Sequence, residues 1–106
     1  MTKVRLRAAA RQDLTDHYVY LFEHAGVKIA DQFLEAAEAS FESLAAQPAM
    51  GAPQLLRMPE LAGMRKWQVK GFETILIFYL VRLHGVSIVR VLHAARDWWE
   101  LLGIEN

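Results

Sequence analysis

Three features of the sequence predict an α+β fold: an antiparallel β-sheet with an α-helical hairpin packed on one face, in the order β-α-α-β-β-β. Apolar residues recur at helical spacing from Ala8 to Ala46, interrupted only around Gly26. A segment from Pro48 to Gly63 holds all three prolines of the chain and separates two halves of different periodicity. Beyond it, apolar segments divided by short turn signals read as strands.

The chain opens with alternation from Thr2 to Arg7. Val4 and Leu6 point one way and Lys3, Arg5 and Arg7 the other, which predicts a short strand with one buried face. A basic outer face is a common protection for an edge strand. From Ala8 to about Ala25 the period is helical. Ala10, Leu14, Tyr18, Leu21, Phe22 and Ala25 make the apolar side, with Asp13, Asp16 and Glu23 between them and His17 and His24 on the helix surface. Gly26 stops this helix. A second helix runs from about Lys28 to Ala46. Ile29, Phe33, Ala37, Phe41 and Leu44 line its buried stripe, Asp31, Glu35, Glu38 and Glu42 face water, and Pro48 closes it. The short connection makes the two helices an antiparallel pair.

Residues 48–63 read as an ordered loop, because Leu55, Leu56, Met58 and Leu61 require burial. Met64 to Val69 is a strand, and Lys70-Gly71 a turn. Phe72 to Leu83 is apolar at nearly every position, as a central strand covered on both faces would be. His84-Gly85 is a two-residue hairpin turn in which glycine supplies a positive φ, and Val86 to His93 returns. Asp97 caps a short last turn over Trp98 to Leu102.

The 106 residues form one domain, 54% hydrophobic and 23% charged, which is the balance of a globular protein with its own core. The absence of cysteine excludes disulfides and thiolate metal sites. The N-terminus carries charges with no apolar stretch of signal-peptide type behind them, and no apolar run approaches the roughly 20 residues that span a bilayer. A cytoplasmic, non-membrane protein is expected. Net charge is zero but unevenly spread. Lys3, Arg5, Arg7 and Arg11 make the first segment +4, whereas between Gln12 and Gln47 one lysine faces seven carboxylates. That distribution argues against wrapping nucleic acid with the whole surface, and no sequence-specific DNA binding is expected.

The most informative stretch is IVRVLHAARDWW, Ile88 to Trp99. On a regular strand Arg90 and His93 point to opposite faces unless a bulge intervenes. The ordinary reading of His93 is a half-buried ring bonded to backbone. The four histidines fall in no HxxxH pattern and no His–carboxylate cluster, so no metal or other cofactor is expected.

Taken with Ala10 and Asp13-Leu14, Pro48 and Gly51, Leu61, Met64-Arg65, Val69, Gly71 and Ile77-Phe78-Tyr79, this V-R-V-L-H-x-A-R-D pattern resembles the RelE/ParE superfamily of toxins from type II toxin–antitoxin modules. It is similar to ParE more than to RelE. The resemblance implies a toxin neutralised in a hetero-oligomer by a cognate ParD-like antitoxin, with DNA gyrase trapped in its cleavage complex as the target. RelE-like relatives instead cleave mRNA on the ribosome, and one fold carries both activities. An RNA-cleaving site needs several cations and an acid or base on one concave face. Arg65, His93 and Arg96 are the residues that would serve as catalytic groups here, but Glu73 stands where RelE-like chains place an arginine, and no tyrosine follows Arg96. A gyrase-poisoning protein is therefore the reading preferred, the ribosome-dependent endoribonuclease the alternative, and a non-toxic binding module a third. In ParE-like toxins the C-terminal segment is implicated in poisoning, so Arg96, Trp98 and Trp99 are target-binding candidates. Arg5, Arg7 and Arg82 are antitoxin-binding candidates, suited to acidic residues of the antitoxin tail.

Overall fold

In the structure, a computed structural model, residues 3–54, 59–95 and 102 are described. Five strands and two helices follow in the order β1 (Lys3–Leu6), α1 (Ala8–Ala25), α2 (Val27–Ala46), β2 (Ala52–Pro53), β3 (Arg65–Val69), β4 (Phe72–Arg82) and β5 (Gly85–His93). Single 3-10 turns lie at Pro48–Met50 and Pro59–Leu61. The expected helical hairpin and the β3-β4-β5 meander are both present, so the α+β architecture holds.

The sheet has the order β1-β5-β4-β3-β2 and is mixed rather than wholly antiparallel. β1 pairs with β5 in parallel, Lys3 opposite Gly85 and Leu6 opposite Ile88. The physical reason is that no tight turn joins β1 to its neighbour. β2, β3, β4 and β5 reverse at each step, so β5 runs with β3. β1 lies beside the last strand instead of a sequence neighbour, and no hairpin turn forces it to run the other way. The second edge strand, β2, sits inside the segment expected to be loop. It spans only two residues, one of them a proline, which suits an edge that should not recruit further strands.

Two cores flank β4, as its unbroken apolar run implies. On the helix side Phe33, Ala37, Phe41 and Leu44 of α2 meet Ile75, Ile77, Tyr79, Val86, Ile88 and Val91. On the outer side Phe78, Leu80, Val89 and Leu92 pack with Leu61, Met64 and Leu102. Of the last turn expected over residues 98–102 only Leu102 is described, and it is helical and buried. α2 buries Phe33, Ala37, Phe41 and Leu44 of the stripe its sequence marks, while Ile29 is half-buried. α1 does so only in its first half: Ala10 and Leu14 are buried, Tyr18 and Leu21 half-buried, and Phe22 and Ala25 exposed. Asp13, expected between the core positions, is itself buried.

The β4–β5 turn is Leu83-His84, one residue earlier than expected, with Gly85 already paired to Arg82. Glycine is required there for a different reason. A Cβ at Gly85 would lie 1.9 Å from the Lys3 carbonyl oxygen, so the absent side chain is what lets β1 approach.

Candidate functional site

β1 accompanies β5 only as far as Ile88, and α1 takes over the edge beyond it. The Asp13 carboxylate accepts the Val91 amide N–H at 2.9 Å, and one turn later His17 Nε2 donates to the Val91 carbonyl at 2.9 Å. Two side chains at i and i+4 thus stand in for a missing strand. A carbonyl only accepts, so the Nε2 nitrogen of His17 carries the proton. His17 is accordingly not a surface residue; its ring is half-buried and meets Phe33 edge-on at 5.8 Å.

A bulge opposite Phe78 and Tyr79 resets β5 at Val89, so the strict alternation assumed from sequence fails. Val89 and Leu92 belong to the outer core and Val91 to the inner one, while Arg90 turns to α1. Its Nε and Nη2 donate to the two Asp13 oxygens at 2.7 and 2.9 Å. That fork raises the Arg90 pKa further above its ordinary range, against a smaller opposing effect of burial, and the side chain stays cationic. The geometry ties Arg90 into the framework that joins α1 to β5.

Arg65 is engaged elsewhere. Its Nη1 donates to the Gly51 carbonyl at 2.6 Å and to the Ala49 carbonyl at 3.3 Å. The Tyr79 hydroxyl donates to the Pro48 carbonyl at 2.6 Å and accepts the Gly51 N–H at 2.8 Å. A Cβ at Gly51 would fall 2.5 Å from that hydroxyl and 2.8 Å from the Lys66 carbonyl. Pro48, Gly51, Arg65 and Tyr79 are therefore one lock, fastening the end of α2 to the sheet. Tyr79→Phe would leave a buried N–H without a partner. The expected loss is about 1–3 kcal/mol, read from urea unfolding. Burial raises the Tyr79 pKa above 10.0, against weaker lowering by the Gly51 hydrogen bond and by Arg65. The folded state thus binds the phenolic proton more tightly than the unfolded chain. This stabilisation is intact below pH 10.0 and is lost as pH climbs through the folded value. Stability should fall above pH 10 in the wild type and fall less steeply in Tyr79→Phe.

His93 is exposed and accepts the Ala95 N–H through Nδ1. It is bonded to backbone as expected, but it is not half-buried. Arg65 pairs with Tyr79 and His93 with Ile75, on strands either side of β4. Two strand spacings and four residues of rise put their Cα atoms about 16 Å apart. The structure does not bring these two together. Arg96, Asp97, Trp98 and Trp99 lie outside the described residues.

The three cations expected to meet an antitoxin do converge. Arg5, Arg7 and Arg82, with Lys3, line an open concavity of about 740 Å³ between β1 and the β4–β5 hairpin. Its other walls come from Leu6, Ala8, Leu83, His84, Gly85, Val86 and Ser87, and no carboxylate is among them. Arg7 Nε donates to Ser87 Oγ at 3.2 Å. Among the described residues no group of three or more His, Cys, Asp or Glu side chains could hold a metal, and no helix is long and apolar enough to cross a membrane.

The family model of the ParE toxin of the type II toxin–antitoxin system parDE matches residues 4–98. The chain belongs to the ParE toxin family. The match runs from β1 past the end of β5, so it takes in the cationic concavity, the Asp13–Arg90 fork and the Tyr79 lock. Among solved structures, the chain is similar to one described as a chromosomal ParDE TA system from P. aeruginosa. The TM-score is 0.70 at 17% identity, covering 88% of this chain and 96% of that one, a likeness of fold. No curated protein sequence matches significantly. As a ParE family member the chain is the toxin half of a toxin–antitoxin pair. Of the motif residues quoted from its sequence, Asp13, Arg90 and Val91 make the fork at the β5 edge, and Pro48, Gly51, Arg65 and Tyr79 make the lock.

Proposed function

We propose that this ParE-family toxin acts in the cytoplasm by trapping DNA gyrase in its cleavage complex, and that a ParD-like antitoxin neutralises it in a hetero-oligomer. The observation that carries the reading is the family match over residues 4–98. The geometry supports a binding protein over a ribonuclease. Arg65 spends its guanidinium on two loop carbonyls, and its Cα is about 16 Å from that of His93, so among the described residues the two do not converge.

The test is a supercoiling assay with purified toxin, gyrase and ATP, scoring linear DNA released when cleavage complexes are denatured. Linear DNA should build up with toxin and disappear on adding the antitoxin. No linear DNA at large toxin excess would sink the poison reading for that gyrase. A companion measurement separates the enzymatic alternative. His93→Ala should leave toxicity unchanged, since an exposed side chain bonded to its own turn supplies no chemistry to a poison. A general acid or base removed from a nuclease would instead reduce activity by about 10²–10⁴.

A further inference from the structure

A trapped cleavage complex contains DNA as well as gyrase, and one corner of this toxin is built to meet a polyanion. We infer that Lys3, Arg5, Arg7 and Arg82 grip the sugar–phosphate backbone of the DNA held in that complex, a contact that reads charge and not sequence. The inference rests on the poison reading above and adds a second surface to it, one for the DNA beside one for the protein.

Four observations carry it. First, the four cations share the sheet face opposite the helices. Val4, Leu6, Val86 and Ile88 pack on the helix-side core, so alternation turns Lys3, Arg5 and Ser87 to the outer face, where Arg7 bonds to Ser87. Gly85 lies in register with Lys3 on one side and Arg82 on the other. Two strand spacings by four residues of rise make a patch of about 10 by 13 Å, with Gly85 and Ser87 as its low floor. Along β1 the charges recur about every 7 Å, close to the separation of neighbouring phosphates in one nucleic-acid strand.

Second, among the described residues none of the four is paired with a carboxylate, and no carboxylate lines the concavity. α1 adds the positive end of its dipole, since Ala8 lines the same concavity and the first helical turn holds no acid. Third, the opposing charge is kept on the far side. Asp31, Glu35, Glu38 and Glu42 are exposed on α2, in the layer across the sheet. A protein of zero net charge divided in this way is drawn to phosphate by one face and turned from it by the other. Fourth, the chain beyond the target-binding candidates returns to the cationic face. Leu102 packs with Phe78, Leu80, Val89 and Leu92 in the outer core, and Leu80 pairs with Ser87 on the floor of the patch. A single approach can therefore present both surfaces to a protein–DNA complex.

The test has two readouts on the full toxin. Fluorescence anisotropy follows a labelled duplex of about 20 base pairs through a salt series, for wild type and for Arg5→Gln/Arg82→Gln. Both arginines are exposed, so the variant should fold, which circular dichroism would verify; Lys3→Gln/Arg82→Gln is the second pair if it does not. The gyrase cleavage assay then scores linear DNA for the same proteins. Wild type should bind two duplexes of unrelated sequence equally, with a slope of log affinity against log salt of about −3 to −4. In the variant the slope should become shallower by about 2, binding at low salt should weaken by at least about tenfold, and less linear DNA should appear at equal toxin. Wild type that ignores the duplex at low salt, a salt slope unchanged in the variant, or undiminished linear DNA each overturns the DNA grip. The poison reading stands in all three cases as long as wild type yields linear DNA; if it yields none, both fall. Antitoxin affinity that drops in the variant while duplex binding is absent would reassign the patch to an acidic protein segment.

Discussion

Replacing Asp13 with alanine should destabilise the domain by about 3–5 kcal/mol, a large part of the 5–15 kcal/mol that holds a domain of this size together. Two losses combine. The Arg90 guanidinium, with about a quarter of its side chain exposed, loses the carboxylate that receives both its hydrogen bonds. The Val91 N–H, on a strand edge where β1 no longer runs, loses its acceptor. An unpaired, partly buried cation and an orphaned amide are each more costly than the intact contacts are favourable. Asp13→Asn keeps an acceptor for Val91 and gives up the charge, so it should lose less, about 1–2 kcal/mol. Arg90→Met in the Asp13→Ala background should recover part of the deficit, because removing both partners leaves no stranded charge. Urea unfolding of the wild type, Asp13→Ala, Arg90→Met and the double variant makes the cycle. Additive losses across it would show that Asp13 and Arg90 are not coupled, and would refute the fork as a stabilising contact.

How far the sequence discloses this site can be judged from the same residues. The helix bounds, the central β4 and the Lys70-Gly71 turn follow from periodicity and turn chemistry, which are local properties. What eluded the sequence is non-local. Asp13 and His17 fall at i+3 from Ala10 and Leu14, inside the apolar stripe rather than beside it. A polar residue at a core position is a signal that a buried partner exists, and Arg90 is the one cation in an otherwise apolar strand. The pairing was legible in principle but needed both elements at once. The bulge at Val89 was not legible, since an extra residue in one strand is defined only against its neighbour. The parallel sense of β1 is likewise defined only against β5, at the far end of the chain. Charge alone groups Arg5, Arg7 and Arg82 in the sequence, and it says nothing of where they meet. They come together because alternation fixes the face of β1, while the register of Arg82 opposite Gly85 sets the other wall.

Gly85→Ala tests whether that wall is as closely built as it looks, and its effect should reach function through structure. The added methyl would meet backbone atoms, at 1.9 Å from the Lys3 carbonyl oxygen and 2.6 Å from the Lys3 nitrogen, and backbone does not swing aside as a flexible side chain would. One of the two strands must move. β1 is four residues long, is held on one side only, and is the cheaper to displace. Its release would expose Val4 and Leu6, at about 1 kcal/mol each for half-buried aliphatics, and would break the parallel ladder, so about 3 kcal/mol in total is expected. Because Lys3, Arg5 and Arg7 ride on β1, the same change should scatter the cations and weaken antitoxin binding even at temperatures where the variant is folded. The Asp13 variants make the control, since they loosen the β5 edge beyond Ile88 and leave β1 in register. Antitoxin affinity that falls in Gly85→Ala and holds in Asp13→Asn, both measured below their unfolding midpoints, would tie recognition to the placement of β1. Equal affinity in the two would mean that the antitoxin is insensitive to that strand and grips the toxin elsewhere.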